Sequence, residues 1–111
     1  MANKHARIAS LIQRNISDII LFELKKPIMK LVTVNACVVS NDFSVAKVYI
    51  SHLEHDKIHT ALDELNRAKG AIRTLLSKKM DIYKVPELIF IIDDTYDRFE
   101  RIEELLNKVN K

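Results

Sequence analysis

The stretch 65-LNRAKGAIRTLL-76 decides how the middle of this chain is read. Leu65, Ile72, Leu75 and Leu76 fall at helical spacing, and Ile58 and Leu62 carry the same stripe upstream. Gly70, the only glycine in 111 residues, sits between the two groups. A glycine inside a helix costs about 1 kcal/mol relative to alanine. A chain that uses no other glycine has little local reason to place one here, unless the backbone bends or a partner comes close. The pattern predicts two helices meeting at Gly70, or one bent helix. In the two-helix case the amides that open the second helix face outward and receive an anion.

Working outward, "KLVTVNACVVS" and "VAKVYISH" are β-branched and alternating, which predicts two strands. "NDFS" between them supplies the turn through Asn41, Asp42 and Ser44. From about Asn3 to Lys25, Ile8, Leu11, Ile12, Ile16, Ile19 and Ile20 mark an amphipathic helix that Pro27 closes. Downstream, "VPELIFIID" has Pro86 at its mouth and then the apolar run of a buried strand. Phe99, Ile102, Leu105, Leu106 and Val109 predict a C-terminal helix, with Asp94 or Thr95 as its cap. The order α-β-β-α-α-β-α is that of a small α+β domain. Its helices cover one face of a three-stranded sheet and leave the other partly open. One domain over residues 1–111 is expected.

With 48% hydrophobic and 30% charged residues, the composition is that of a soluble globular chain rather than a disordered one. The lone Cys37 predicts a reducing, cytoplasmic setting. The apolar runs "IILF" and "LIFII" are far short of the roughly 20 residues that span a bilayer. Net charge is +3, and it is segregated along the chain. Residues 65–86 hold six Lys/Arg against one Asp, whereas 87–111 hold four against seven acids. Arg67, Lys69 and Arg73 bracket Gly70, and Lys78, Lys79 and Lys84 continue the positive charge. Phosphate is the anion such a bend and charge excess fit. The plainer alternative makes Gly70 a helix-ending residue and the lysines a solvated face. The excess charge goes beyond what solubility requires, which favours a nucleic-acid surface.

Three pieces of sequence are more specific. They are "VTVNACVVSNDFSVAKVYIS", with Ala46-Lys47-Val48-Tyr49-Ile50-Ser51 inside it; Ala68-Lys69-Gly70 followed by Ile72-Arg73; and "VPELIFIIDDT". With these the chain resembles, over nearly its whole length, the ribosome-binding factor A family of bacterial small-subunit assembly factors. The resemblance implies a type-II KH-like fold in which an Ala-x-Gly kink between two helices replaces the Gly-x-x-Gly loop of ordinary KH domains. Ala68-Lys69-Gly70 matches that kink. It further implies a cytoplasmic, monomeric, non-enzymatic factor without cofactor, metal or membrane. Such a factor binds the free or immature small ribosomal subunit and its rRNA during late maturation and rRNA processing, and is released once the particle is mature. The residues expected to meet RNA are Arg67, Ala68, Lys69, Gly70, Arg73, Lys78, Lys79 and Lys84. The chain departs from the family at Ile28, where Arg is common after Lys26-Pro27. Before Pro86-Glu87-Leu88 the family's basic residue is represented only by the nearby Lys84.

Other constellations have plainer explanations. His52, His55 and His59 have spacing that zinc sites use, but they fall on a strand end, a loop and a helix start. Asp93, Asp94 and Asp97 suit helix capping better than magnesium. Cys37 lacks a glycine-rich turn that would stabilise an oxyanion. Phe43, at a turn expected to be exposed, and Tyr49 are the candidates for stacking on bases. Lys4, His5, Arg7 and Arg14, then Lys25, Lys26 and Lys30, form a second basic series. It suits a solvated face, a second RNA strand or a ribosomal protein alike. Two rivals to RNA binding stand: a protein-interaction module with an acidic partner, and a small metal-dependent enzyme.

Overall fold

A computed structural model describes residues 4–82 and 84–94. The expected C-terminal helix lies outside them, as does Thr95, one of its two cap candidates. Helix α1 (Lys4–Asp18) buries Ile12 and Ile16 and runs into a π turn, Ile19–Glu23, in which the Leu24 N–H donates to the Ile19 carbonyl. The wider turn lets the consecutive Ile19 and Ile20 both enter the core, while Leu21 and Phe22 face water. Pro27 then opens a 3₁₀ turn, Pro27–Leu31, that seats Met29 in the core.

Strand β1 (Val32–Val39) pairs antiparallel with β2 (Val45–His52), and a register shift at Asn35 marks a bulge. In the connecting turn Phe43 has φ 61°, a left-handed backbone for a non-glycine residue. The turn is held by side chains: Ser40 Oγ accepts the Ser44 and Val45 N–H groups, and Asp42 accepts the Ser44 N–H and the hydroxyls of Ser40 and Ser44. Those hydrogen bonds, Ser44's first, hold the Asp42 carboxyl down to about 2. Phe43 is not the exposed stacking residue expected. It is half-buried, packs on the core, and meets the His5 ring at 5.1 Å, while His5 Nε2 bonds the Ser40 carbonyl.

Strand β3 (Glu87–Ile92) lies parallel to β2, so the connection must cross over the sheet, and helix α2 (Ile58–Lys79) provides it. Helix α1 packs over β1 and α2 over β3. The buried Val34, Val39, Ala46, Val48, Ile50, Leu88 and Phe90 face these helices. The opposite face carries Val38, Lys47, Tyr49 and Ile89 and stays open, as the alternation of the strands predicts. Among the described residues no helix is long and apolar enough to cross a membrane.

Of the two expectations for the Gly70 region, two helices or one bent helix, the chain takes the single helix, continuous over 22 residues. Its buried face explains why. Ala61, Leu65, Ile72 and Leu76, all fully buried, flank the glycine on both sides and hold the helix against the sheet. Against that much burial the intrinsic cost of one glycine is small. The amides after Gly70 are therefore spent inside the helix and are not an anion site.

Candidate nucleic-acid interface

Helix geometry sorts the basic residues around α2. Gly70 lies on the side facing away from the sheet, exposed, with no heavy atom within 4 Å of where a Cβ would stand and no positive φ. At 3.6 residues per turn, Arg67, Thr74 and Lys78 fall within about 40° of one another on this outward side, beside Gly70. Arg67 and Lys78 stand about 16 Å apart along the axis. The Thr74 hydroxyl donates to the Gly70 carbonyl at 3.0 Å, a back-bond of the kind that opens a helix slightly on its outer side.

The motif Ala68-Lys69-Gly70 does not present all three residues outward. Ala68 is half-buried and packs on the core. Lys69 is half-buried on the shoulder, about 40° round the axis from Arg73. Only Gly70 lies fully on the outer side. Lys79 is exposed at the helix end and Lys84 in the segment leading to β3.

Arg73 has an internal task. Its Nε donates to the Pro86 carbonyl at 3.2 Å and its second terminal nitrogen to the Val85 carbonyl at 3.0 Å. These carbonyls immediately precede β3, whose first amide, that of Glu87, donates to the Ser44 carbonyl. The guanidinium thus pins α2 to the strand entrance. Arg73→Met, which keeps the stem and loses the donors, is expected to lower stability by about 1 kcal/mol. Amide exchange at residues 87 and 88 should quicken. Urea unfolding and hydrogen exchange check this; unchanged protection there would show that the bonds carry no weight.

Arg67 is joined to a residue far away in sequence. Glu64 accepts the Arg67 guanidinium through Oε1 at 2.8 Å and the Lys26 ammonium through Oε2 at 2.6 Å. Lys26, and after it Arg67, hold the Glu64 carboxyl below its ordinary range. Sequence reasoning had Lys26 only as one member of a generic basic run, and spacing offers no signal for a bridge across 38 residues.

The histidines do not converge. His52 is buried, accepts the Glu54 N–H through Nδ1 and donates from Nε2 to the Ile28 carbonyl. It staples the end of β2 to the 3₁₀ turn Pro27–Leu31 that precedes β1. His59 is exposed on α2. Among the described residues no group of three His, Cys, Asp or Glu stands where it could hold a metal ion. Burial pushes the Cys37 thiol up to about 11, so at neutral pH it is protonated, the wrong form for a nucleophile.

Comparison with known proteins fits this arrangement to a family. The profile described as ribosome-binding factor A matches residues 4–106. A ribosome-binding factor A from Ureaplasma urealyticum is 37% identical over 113 aligned positions that take in 100% of this chain and 97% of the relative. The crystal structure of ribosome-binding factor A from Thermus thermophilus superposes with a TM-score of 0.72 at 27% identity, covering 79% of this chain and 93% of the other. A homology model of the T. thermophilus factor, fitted into a cryo-electron-microscopy map of a 30S complex, matches with a TM-score of 0.67 at 28% identity, over 80% and 94% of the two chains. The α+β fold with a three-stranded sheet is therefore the KH-like fold of these structures. A chain whose whole described length follows this pattern, from α1 to β3, belongs to the ribosome-binding factor A family.

Proposed function

We propose that this protein binds the small ribosomal subunit during its late maturation by laying the outer side of α2 along a folded stretch of rRNA backbone. The observation that carries the proposal is Gly70: a side-chain-free point on an exposed helix face, with nothing near it and cations on both sides. A backbone without a Cβ admits close approach, and Arg67, Lys69 and Lys78 supply the charge that phosphates need, with Lys79, which leaves the helix end on the side away from Gly70, and Lys84 adding only to the wider positive field. Arg73 adds charge from its anchored position, and Ala68 gives the room for the helix to sit close on the sheet beneath. The 30S complex of the T. thermophilus relative supports the choice of particle. In this reading the protein acts in the cytoplasm as a monomer, without cofactor and without catalysis. It works by stabilising one conformation of the rRNA, since a ligand shifts an equilibrium only through unequal affinity for its states. It assists rRNA processing in the same way and leaves once the mature conformation disfavours it.

The test is co-sedimentation with immature and mature small subunits over a range of salt, with the native chain and an Arg67→Gln/Lys69→Gln variant. The native chain is expected to prefer immature particles. The variant should dissociate at lower salt, with the slope of log affinity against log salt shallower by about 1.4–1.8 for two lost phosphate contacts. Competing structured RNA should release the native chain. Equal retention of both chains, or indifference to competing RNA, would instead point to a protein partner for the basic surface.

A further inference from the structure

The Glu64 side chain is only 16% exposed, whereas those of its two cationic partners, Lys26 and Arg67, are 65% and 73% exposed. Both of its oxygens are in use, one on each cation. Lys26 is also fixed through its backbone. It precedes Pro27, which restricts it to extended geometry, observed as φ −74° and ψ 133°. Its carbonyl accepts the N–H of the buried Met29 at 3.0 Å. A lysine that the sequence leaves in a loose basic run is thus held at its main chain by a proline turn and at its ammonium by a carboxylate on another element. Its charge stands beside that of Arg67, which borders Gly70.

Such a pair does little for folding, because exposed ion pairs gain little over their hydrated state. What it does is place two cations side by side on one surface. Each keeps further N–H donors pointing to water after giving one to Glu64. A tetrahedral phosphate with several acceptor oxygens can take those remaining donors, and the carboxylate between the cations keeps them from driving each other apart before RNA arrives.

We infer that Lys26 and Arg67, set side by side by Glu64, clamp a single backbone phosphate of the bound RNA, so that Lys26 alone of its basic run joins the α2 face. Lys26 and Arg67 are the contact residues, and Glu64 is a positioning residue. This inference rests on the reading of α2 as an RNA-binding face.

The experiment is sedimentation of the full chain with immature small subunits over a salt series. The native chain is compared with Lys26→Gln, Lys25→Gln, Glu64→Ala and the Arg67→Gln/Lys69→Gln variant, and urea midpoints confirm that each is folded. Lys26→Gln is expected to weaken binding about threefold to tenfold and to make the salt slope shallower by about 0.7–0.9, one phosphate contact. Lys25→Gln, the same change of charge one residue earlier, should leave the slope unchanged. Glu64→Ala should weaken binding although it removes a negative charge. Tighter binding by Glu64→Ala would mean that the carboxylate merely repels RNA, and would overturn the clamp. Equal effects at Lys25 and Lys26 would overturn it in favour of a diffuse field, and weaker binding at an unchanged slope in favour of a protein neighbour. If Arg67→Gln/Lys69→Gln binds like the native chain, the reading of α2 itself falls. If that variant is weakened and Lys26→Gln is not, only the clamp falls.

Discussion

Gly70→Ala is expected to make the isolated protein more stable by about 0.5–1 kcal/mol and at the same time to loosen its hold on immature small subunits. The first half follows from the fold. The helix runs unbroken through Gly70, its φ is not positive, and an added methyl group meets nothing within 4 Å. No feature of the folded chain requires glycine there, so alanine recovers the entropy and propensity that glycine forfeits. For a domain of this size each kcal/mol moves the thermal midpoint by about 4–8 °C. The second half follows from asking what the destabilising residue is for. If it serves no internal contact, its use lies in what approaches from outside, and a side chain stands in the way. Gly70→Gln, still a good helix former but much longer, should weaken binding about tenfold, equivalent to losing about 1.4 kcal/mol of close contact. Urea unfolding and co-sedimentation on the same samples measure the two halves. Native binding by both variants would remove Gly70 from the interface. A loss of stability in Gly70→Ala would show that the helix needs its freedom to bend.

The parts of this fold legible in the sequence were those written in short-range periodicity. The isoleucines of α1, the alternation in β1 and β2, the proline-led run of β3 and the half-open sheet all appear where spacing places them. The choice between two helices and one through Gly70 was left open by the sequence, because local propensity at Gly70 opposes continuity and only the burial of Leu65 and Ile72 on either side overrides that preference. The π turn after α1 was hidden too, since Ile19 and Ile20 fit an ordinary helical stripe nearly as well. At the candidate site the sequence indicated the basic excess and the glycine. It could not divide the cations by task. Arg73 differs from Arg67 only in where the strand entrance happens to lie, and Lys26 reaches the same surface through a carboxylate 38 residues away. Phe43 looked exposed because turns usually are, but this turn folds back on α1 and shelters it.

Leu65→Ala should produce the opposite change in stability to Gly70→Ala, on the same helix. Leu65 is fully buried against the sheet, and truncating such a side chain costs about 2–5 kcal/mol through lost transfer energy and the cavity left behind. That is a large part of the 5–15 kcal/mol typical of a whole domain. The folded fraction of the variant should still bind small subunits normally, because the outer side of α2 is untouched. The combination Leu65→Ala/Gly70→Ala then separates two views of the glycine. Leu65 and Gly70 lie on opposite sides of α2 and about 7.5 Å apart along its axis, so their effects should add to within about 0.5 kcal/mol if Gly70 is a passive point on a straight element. A hinge behaves differently. If Gly70 let the two halves of α2 adjust independently to the core, stiffening it with alanine would block the collapse that limits the Leu65 cavity, and the double variant would fall below the sum. Urea unfolding of the four proteins in this cycle decides between them, and agreement with the sum assigns the glycine to the surface rather than to the fold.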